Sequence, residues 1–447
     1  MSAAMMDVRS LLSSGFTSPR SLRGAGCLLA LGLSACGSSV PADTDTQTAP
    51  VGTPASSKCD AYTGTPLDAL KHYEGTMHEH GAYSDGDIHT IPADYYRTIQ
   101  QAGYDFAAGS EHSDTLDTGV FISVGSDCFT TPDGLLTCLT PTADELVKWQ
   151  STADQAAAAS TGDFLAVRGF EWTSDRFGHI NVYFSKNFSN AKTDLGYLVT
   201  METFWDWFTR DPDTVGLGGS VTAPVPFGGG GDGLGHFNHP SDKCLFDSVG
   251  DPGCNWNDYT LIPEAVERMF GQEVYNDSNG NDRYMDEYVH ALDIGWMLSP
   301  IGSEDEHQLK FGSEERPKTV TLATGLNDDA FKEAWLARRT YALSPGQHLR
   351  AQVVVDHQAP MGARLSCDAA HGPVELSAKL TRRDGTPFMG DYRLYGSGGE
   401  LLSAVYGSQA QFKLPVEAGA RHWYFVRVHD ADGTSVAYLA PVWITGR

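Results

Sequence analysis

Histidines and carboxylates that fall at the ends of apolar runs are the residues in this chain with chemistry to offer. The stretch Thr76-Met77-His78-Glu79-His80-Gly81-Ala82-Tyr83-Ser84-Asp85-Gly86 reads as a strand end carrying two histidines one residue apart, followed by a turn with a carboxylate. Side chains alternate along a strand, so His78 and His80 are expected on one side, with Asp85 returning over it from the loop. Two imidazoles and a carboxylate brought together can hold zinc, manganese or iron. An H-x-H motif alone is equally compatible with two surface histidines, so distant partners decide. The candidates are His112, Glu171, His179, His239, Asp305 and His307. Glu171 closes the apolar run Phe164 to Trp172. A carboxylate buried there requires a partner.

The elements that must position these groups alternate. Helical periodicity is expected over 91–102, stopping at Gly103, and over 143–159, 201–209, 284–296 and 328–339. Short apolar runs at 73–77, 104–109, 164–172, 179–184, 234–239, 273–276 and 298–303 read as strands. Such alternation predicts a parallel α/β architecture with the candidate ligands at C-terminal strand ends, the face where α/β barrels place active sites. The Gly-rich stretch 216–235 lacks the spacing of a phosphate-binding loop and reads as a loop near a site. The turn 277–282 has its glycine in the wrong place for a calcium loop. From about 346 the pattern changes to short alternating runs with Asp-Gly turns at 384–385 and 432–433, predicting a small antiparallel β-sandwich over 346–447.

The chain has 447 residues and a net charge of −26, which argues against nucleic acid as a main partner. Residues 1–36 read as an export signal: Arg20 and Arg23 precede an apolar run too short to span a bilayer. Leu33-Ser34-Ala35-Cys36-Gly37 resembles the lipobox of bacterial lipoproteins, which implies cleavage before Cys36 and lipid on it. Residues 37–57, rich in Ser, Thr, Pro and Ala, read as a flexible tether. The expected protein is exported and anchored to the cell envelope, at the outer membrane, rather than spanning it. Six of the eight cysteines then remain, and the sequence leaves their connectivity open: Cys128 with Cys138 and Cys244 with Cys254 would make local bridges, and Cys59 with Cys367 would tie the start of the catalytic domain to the C-terminal one.

In order along the chain, His78-Glu79-His80 with Ser84-Asp85-Gly86, Glu111-His112, Gly169-Phe170-Glu171, Gly178-His179-Ile180-Asn181, Asn238-His239-Pro240 and Gly302-Ser303 through Asp305-Glu306-His307 resemble the PHP (polymerase and histidinol phosphatase) superfamily of metal-dependent hydrolases. Arg339-Thr340-Tyr341-Ala342 fits its CehA/McbA type, named for carbaryl hydrolase. The resemblance implies a distorted seven-stranded (β/α) barrel over 58–345, followed by the β-sandwich, with two or three divalent metals. His78, His80, Glu171 and Asp305 would hold one metal. Glu171 would bridge to a second held by His179 and His239, and Asp85, His112 and His307 would hold a third. The family usually has Asp where Glu111 stands, and Glu304 is an extra acid beside Asp305.

Two cations sharing Glu171 would lower the pKa of a bridging water and supply hydroxide near neutral pH. His307 or His112, where not bound to metal, can protonate the leaving group. Arg176 and Arg168 are candidates to contact an anionic substrate. The expected function is exported, metal-dependent hydrolysis of a small phosphoester. Carboxyl or carbamate ester hydrolysis at the same centre, and a non-catalytic binding module on the same scaffold, are the alternatives.

Overall fold

The computed structural model describes residues 57–116, 128–130, 136–138, 147–191, 199–216, 228–243, 253–277 and 283–447. The export signal, Cys36, nearly all of the tether, Cys244 and most of the 277–282 turn therefore lie outside the described residues. Ser56–Arg447 form one compact unit.

Up to the expected domain boundary the strands are β1 (Lys71–Glu79), β2 (Phe106–Gly109), β3 (Cys128–Thr130), β4 (Leu136–Cys138), β5 (Leu165–Val167) and β6 (Gly169–Ser174). They continue with β7 (Gly178–Tyr183), β8 (Leu234–Phe237), β9 (Met269–Asn276), β10 (Ser299–Ser303), β11 (Lys318–Ala323) and β12 (Thr340–Leu343). Helices α1 (Pro92–Gln101), α2 (Val147–Ala159), α3 (Met201–Thr209), α4 (Cys254–Tyr259), α5 (Met285–Ile294) and α6 (Asp328–Leu336) lie between them. After the boundary come β13 (Leu349–Val355), β14 (Arg364–Cys367), β15 (Val374–Arg382), β16 (Gly390–Gly396) and β17 (Glu400–Gly407). The last four are β18 (Gln409–Leu414), β19 (Arg421–His429), β20 (Ser435–Leu439) and β21 (Val442–Gly446).

Local signals account for the starts of two helices. The Thr200 side chain accepts from Thr203 N at the start of α3, and Asn327 does the same for Ala330 N at α6. One face of α3 puts Phe204, Trp205, Trp207 and Phe208 into an aromatic core with Trp172, Phe237 and Trp296. In β13 the alternation is regular: Leu349, Ala351, Val353 and Val355 are buried, while Arg350 and Gln352 face water.

The parallel expectation holds only in part. β1–β2–β5 and β8–β9–β10 are parallel, but β6–β7–β8 and β1–β11–β12 are antiparallel. Only Asp175, Arg176 and Phe177 separate β6 from β7, and a parallel crossover needs about a dozen residues or more. A tight hairpin is the one connection that length permits. The C-terminal region is likewise not wholly antiparallel, because β14 pairs with β21 in parallel.

An 11-stranded sheet runs β14-β21-β19-β20-β12-β11-β1-β2-β5, with β16 and β17 attached at β19. The expected boundary at 345/346 therefore falls beside backbone pairing, since β12 pairs with β20. A three-stranded sheet, β13-β15-β18, packs its apolar face on the same core. The five-stranded sheet β10-β9-β8-β7-β6 meets the large sheet along two seams. At one, His80 N donates to Glu306 O at 3.1 Å and Glu304 N to Met77 O at 3.2 Å. At the other, Glu171 N donates to Glu111 O at 3.0 Å and Ser113 N to Glu171 O at 2.8 Å. His78, His80, His112, Glu171, Asp305 and His307 lie at or beside these seams, while His179 and His239 come from β7 and the end of β8 between them.

Candidate metal centre

The β1 motif reaches the centre by a route that simple alternation does not describe. The register shifts between Met77 and Glu79, and His78 has φ 73°, so a bulge re-aims it while His80 follows the strand end. Their rings nevertheless converge, with centroids 4.9 Å apart. Asp305 also adopts a positive φ, 47°. Left-handed backbone at two non-glycine candidate ligands is strain of the kind that concentrates at functional sites. His112, His239, Asp305 and His307 follow β2, β8 and β10 as expected. His179 instead opens β7, because that strand runs back antiparallel and its start lies at the same rim.

Glu171 is the hub. Its Oε1 lies 3.1 Å from His78 Nε2, 2.9 Å from His179 Nδ1 and 3.3 Å from His239 Nε2. Its Oε2 lies 2.7 Å from His112 Nδ1 and 3.7 Å from His80 Nε2. Asp305 Oδ1 is 3.5 Å from both His78 Nε2 and His80 Nε2. Asp85 Oδ1 stands 3.2 Å from His112 Nε2 and 3.2 Å from His307 Nε2, so the loop carboxylate does return over the histidines. All nine expected ligands are brought together.

Electrostatics follow from burial and this crowding. Burial works against a charge on His112, but Glu171 and Asp85 outweigh it and push its pKa up to about 10. Burial likewise opposes charge on His78, which Asp305, Glu171 and Glu273 raise well above the usual imidazole value. His80 goes the other way, to about 3, through burial and the neighbouring His307 and His112. Against the cost of burial, the surrounding imidazoles hold Glu171 and Asp305 well below the ordinary carboxylate range.

The donor set fits divalent metal. His78 Nε2, His80 Nε2, His179 Nε2 and His239 Nδ1 are buried and make no hydrogen bond, and unmet buried polar atoms are costly unless an ion satisfies them. Four overlapping groups have mutually close ligand atoms: His80/Asp85/His112/His307, His78/His80/Glu171, His78/His239/Asp305 and His112/Glu171/His179. The last two combine the expected ligands differently from the family assignment, pairing His112 with His179 and His239 with Asp305.

Glu273 was missed. Its Oε1 is 2.7 Å from His78 Nδ1, while Oε2 accepts from His239 N at 2.7 Å and Asn276 Nδ2 at 2.9 Å. It orients one ligand by its ring and another by its backbone, leaving His78 Nε2 aimed at the centre. The signal was present: like Glu171, it is a lone acid in an apolar strand. Asn238 Nδ2 donates to Glu171 Oε1 at 2.8 Å. Glu111 lies outside the ligand set and ties down the loop, accepting from Gly81 N at 2.9 Å and Ser84 Oγ at 2.6 Å. Glu304 turns away from the centre toward Lys318, with 2.5 Å between Nζ and Oε1.

A cleft of about 750 Å³ opens over His239, Asp305 and His307. Arg168 is not at this cleft. It donates to Ser185 O, lies over the Trp149 ring and lines a separate cavity of about 790 Å³ that contains none of the nine ligands. Arg176 lies over the Phe177 ring, 4.9 Å from its centroid, and does not line the cleft. Cys59 and Cys367 are disulfide-bonded, Cys254 is also in a disulfide, and Cys128 stands opposite Cys138 in the β3–β4 register.

Neither a family model nor a curated relative matches the chain. Among solved structures it is similar to a two-domain protein from Bacteroides vulgatus ATCC 8482 containing a predicted PHP-like metal-dependent phosphoesterase. That similarity is 17% identity over 86% of this chain and 99% of the other, with a TM-score of 0.42. It is also similar to the endo-beta-1,4-mannanase of Thermotoga petrophila, at 10% identity over 84% and 98% of the two chains and a TM-score of 0.22. At these values neither similarity bears on reaction or substrate, which rest on the site's own geometry.

Proposed function

We propose that this chain is a metal-dependent hydrolase of the PHP superfamily and CehA/McbA type that cleaves phosphoesters. In this reading the two sheets form the distorted seven-stranded barrel, with β13 onward as the accompanying β-sandwich. One observation carries it: five segments far apart in sequence gather six imidazoles and three carboxylates, Glu171 among them, with buried imidazole nitrogens that have no hydrogen bond.

Two or three divalent ions held by His78, His80, Asp85, His112, Glu171, His179, His239, Asp305 and His307 would supply Lewis acidity and a water of lowered pKa. Glu273 and Asn238 keep His78 and Glu171 oriented. Where only two ions are bound and His307 is not a ligand, this histidine, a third exposed and lining the cleft, can give a proton to the leaving oxygen. His112 is less suited to that role, because it is only 13% exposed and does not line the cleft. The polar cleft supports a phosphoester over an aryl carbamate.

The proposal extends to location. The pattern of residues 1–57 supports export, lipid at Cys36 and attachment to the bacterial outer membrane, with a small-molecule substrate and no nucleic acid partner. Among the described residues no helix is long and apolar enough to cross a membrane.

Elemental analysis and turnover of p-nitrophenyl phosphate and acetate test the function. Two or three metals per chain are expected, with phosphate hydrolysis falling by about a thousandfold in Glu171→Ala. A protein that binds no zinc, manganese or iron refutes it.

A further inference from the structure

We infer that the substrate carries a second anionic group beside the scissile phosphoester, received by Arg316, Lys310 and Lys243; this rests on the hydrolase reading above. Every described side chain lining the cleft over His239, Asp305 and His307 is polar or charged. Small-molecule pockets are ordinarily lined mostly by apolar and aromatic groups, so a wholly polar lining selects a hydrophilic ligand. Four cations line this cleft, Lys243, Arg283, Lys310 and Arg316, in a chain with 31 basic against 57 acidic residues. Four carboxylates line it too, Asp242, Asp277, Asp305 and Glu306, so what the cleft offers an anion depends on which cations those acids leave available.

The cations differ in what holds them. Arg283 is paired with Asp242, which also accepts from Tyr284 Oη at 2.6 Å, so it belongs to the wall. Arg316 is 15% exposed and fixed from behind by the buried Glu306, whose Oε2 lies 2.9 Å from Nη2. Its other neighbour, Asp277, is 43% exposed and able to swing into water. A guanidinium held on one side and fronted by a displaceable acid is preorganised for a second anion. Lys310 is 60% exposed, with only a loose 3.8 Å approach to Glu315, and Lys243 is exposed on the same rim. Both can close over an incoming anionic group.

The test compares glucose 1-phosphate with glucose 1,6-bisphosphate on the metal-loaded full chain. The bisphosphate is expected to show a kcat/KM higher by about tenfold or more, carried by KM, since charge-assisted contacts are worth that much. The preference shrinks in about 0.5 M salt. In the double variant Lys243→Ala, Lys310→Ala the ratio falls toward one, and Arg316→Ala lowers it further while Arg316→Lys restores part of it. A wild-type ratio near one, or a ratio unmoved by the double variant, overturns the inference and leaves the hydrolase reading standing. Absence of turnover on every phosphoester by metal-loaded protein overturns both.

Discussion

Glu273 shows how one residue outside the ligand set can govern the centre. Its carboxylate holds His78 Nδ1 at 2.7 Å and the backbone N–H of His239 at 2.7 Å. Glu273→Gln keeps the shape but loses the charge that fixes the imidazole, so metal affinity is expected to fall about 10- to 100-fold. Chelator competition on the folded variant measures it; unchanged affinity refutes the role. His112 gives the centre a pH signature. Its folded pKa, about 10, lies above the ordinary 6.5, so the native metal-free protein binds this proton more tightly than the unfolded chain. That stabilisation is complete below pH 6.5 and is lost as pH rises toward 10. Melting temperatures of chelator-treated protein should therefore drop between these limits, with a smaller drop in His112→Gln.

At the scale of elements, the seam between β10 and its neighbours decides whether Asp305 and His307 reach the candidate centre. A methyl group at Gly302 would sit 2.5 Å from Lys318 O, and Thr319 Oγ1 accepts from Gly302 N at 2.9 Å. Gly302→Ala must push β10 off β11 and displace the segment carrying Asp305 and His307. A loss of about 1–3 kcal/mol in stability, with weaker metal binding, is expected from thermal melts and titration. The helices were legible because caps and periodicity are local properties: α1, α3, α5 and α6 start and stop close to where their residues direct. Strand direction was not. The antiparallel β6–β7 pair follows from a three-residue connection whose consequence appears only when both strands are counted in one sheet.

Across the whole molecule, Cys59 and Cys367 join positions 308 residues apart, tying the start of the described chain to β14. Asp356 reinforces the join by accepting from Lys58 N and Cys59 N at 3.0 Å. Replacing both cysteines by serine should cost about 2–5 kcal/mol, read as a lower Tm with metal binding retained. The nine candidate ligands could be picked out along the chain because their order resembles that of a known family, and because histidines and carboxylates at the ends of apolar runs are a local feature. Helix positions and the change to alternating runs after about 346 were readable for the same reason. Tertiary structure alone decided that β12 pairs with β20, that Glu171 faces five imidazoles and that Glu273 stands behind His78. It also separated Arg168 from the cleft and gathered Lys243, Lys310 and Arg316 around it. Each of these is a contact between segments tens to hundreds of residues apart, set by how sheets pack and twist together rather than by any preference a short stretch of sequence carries.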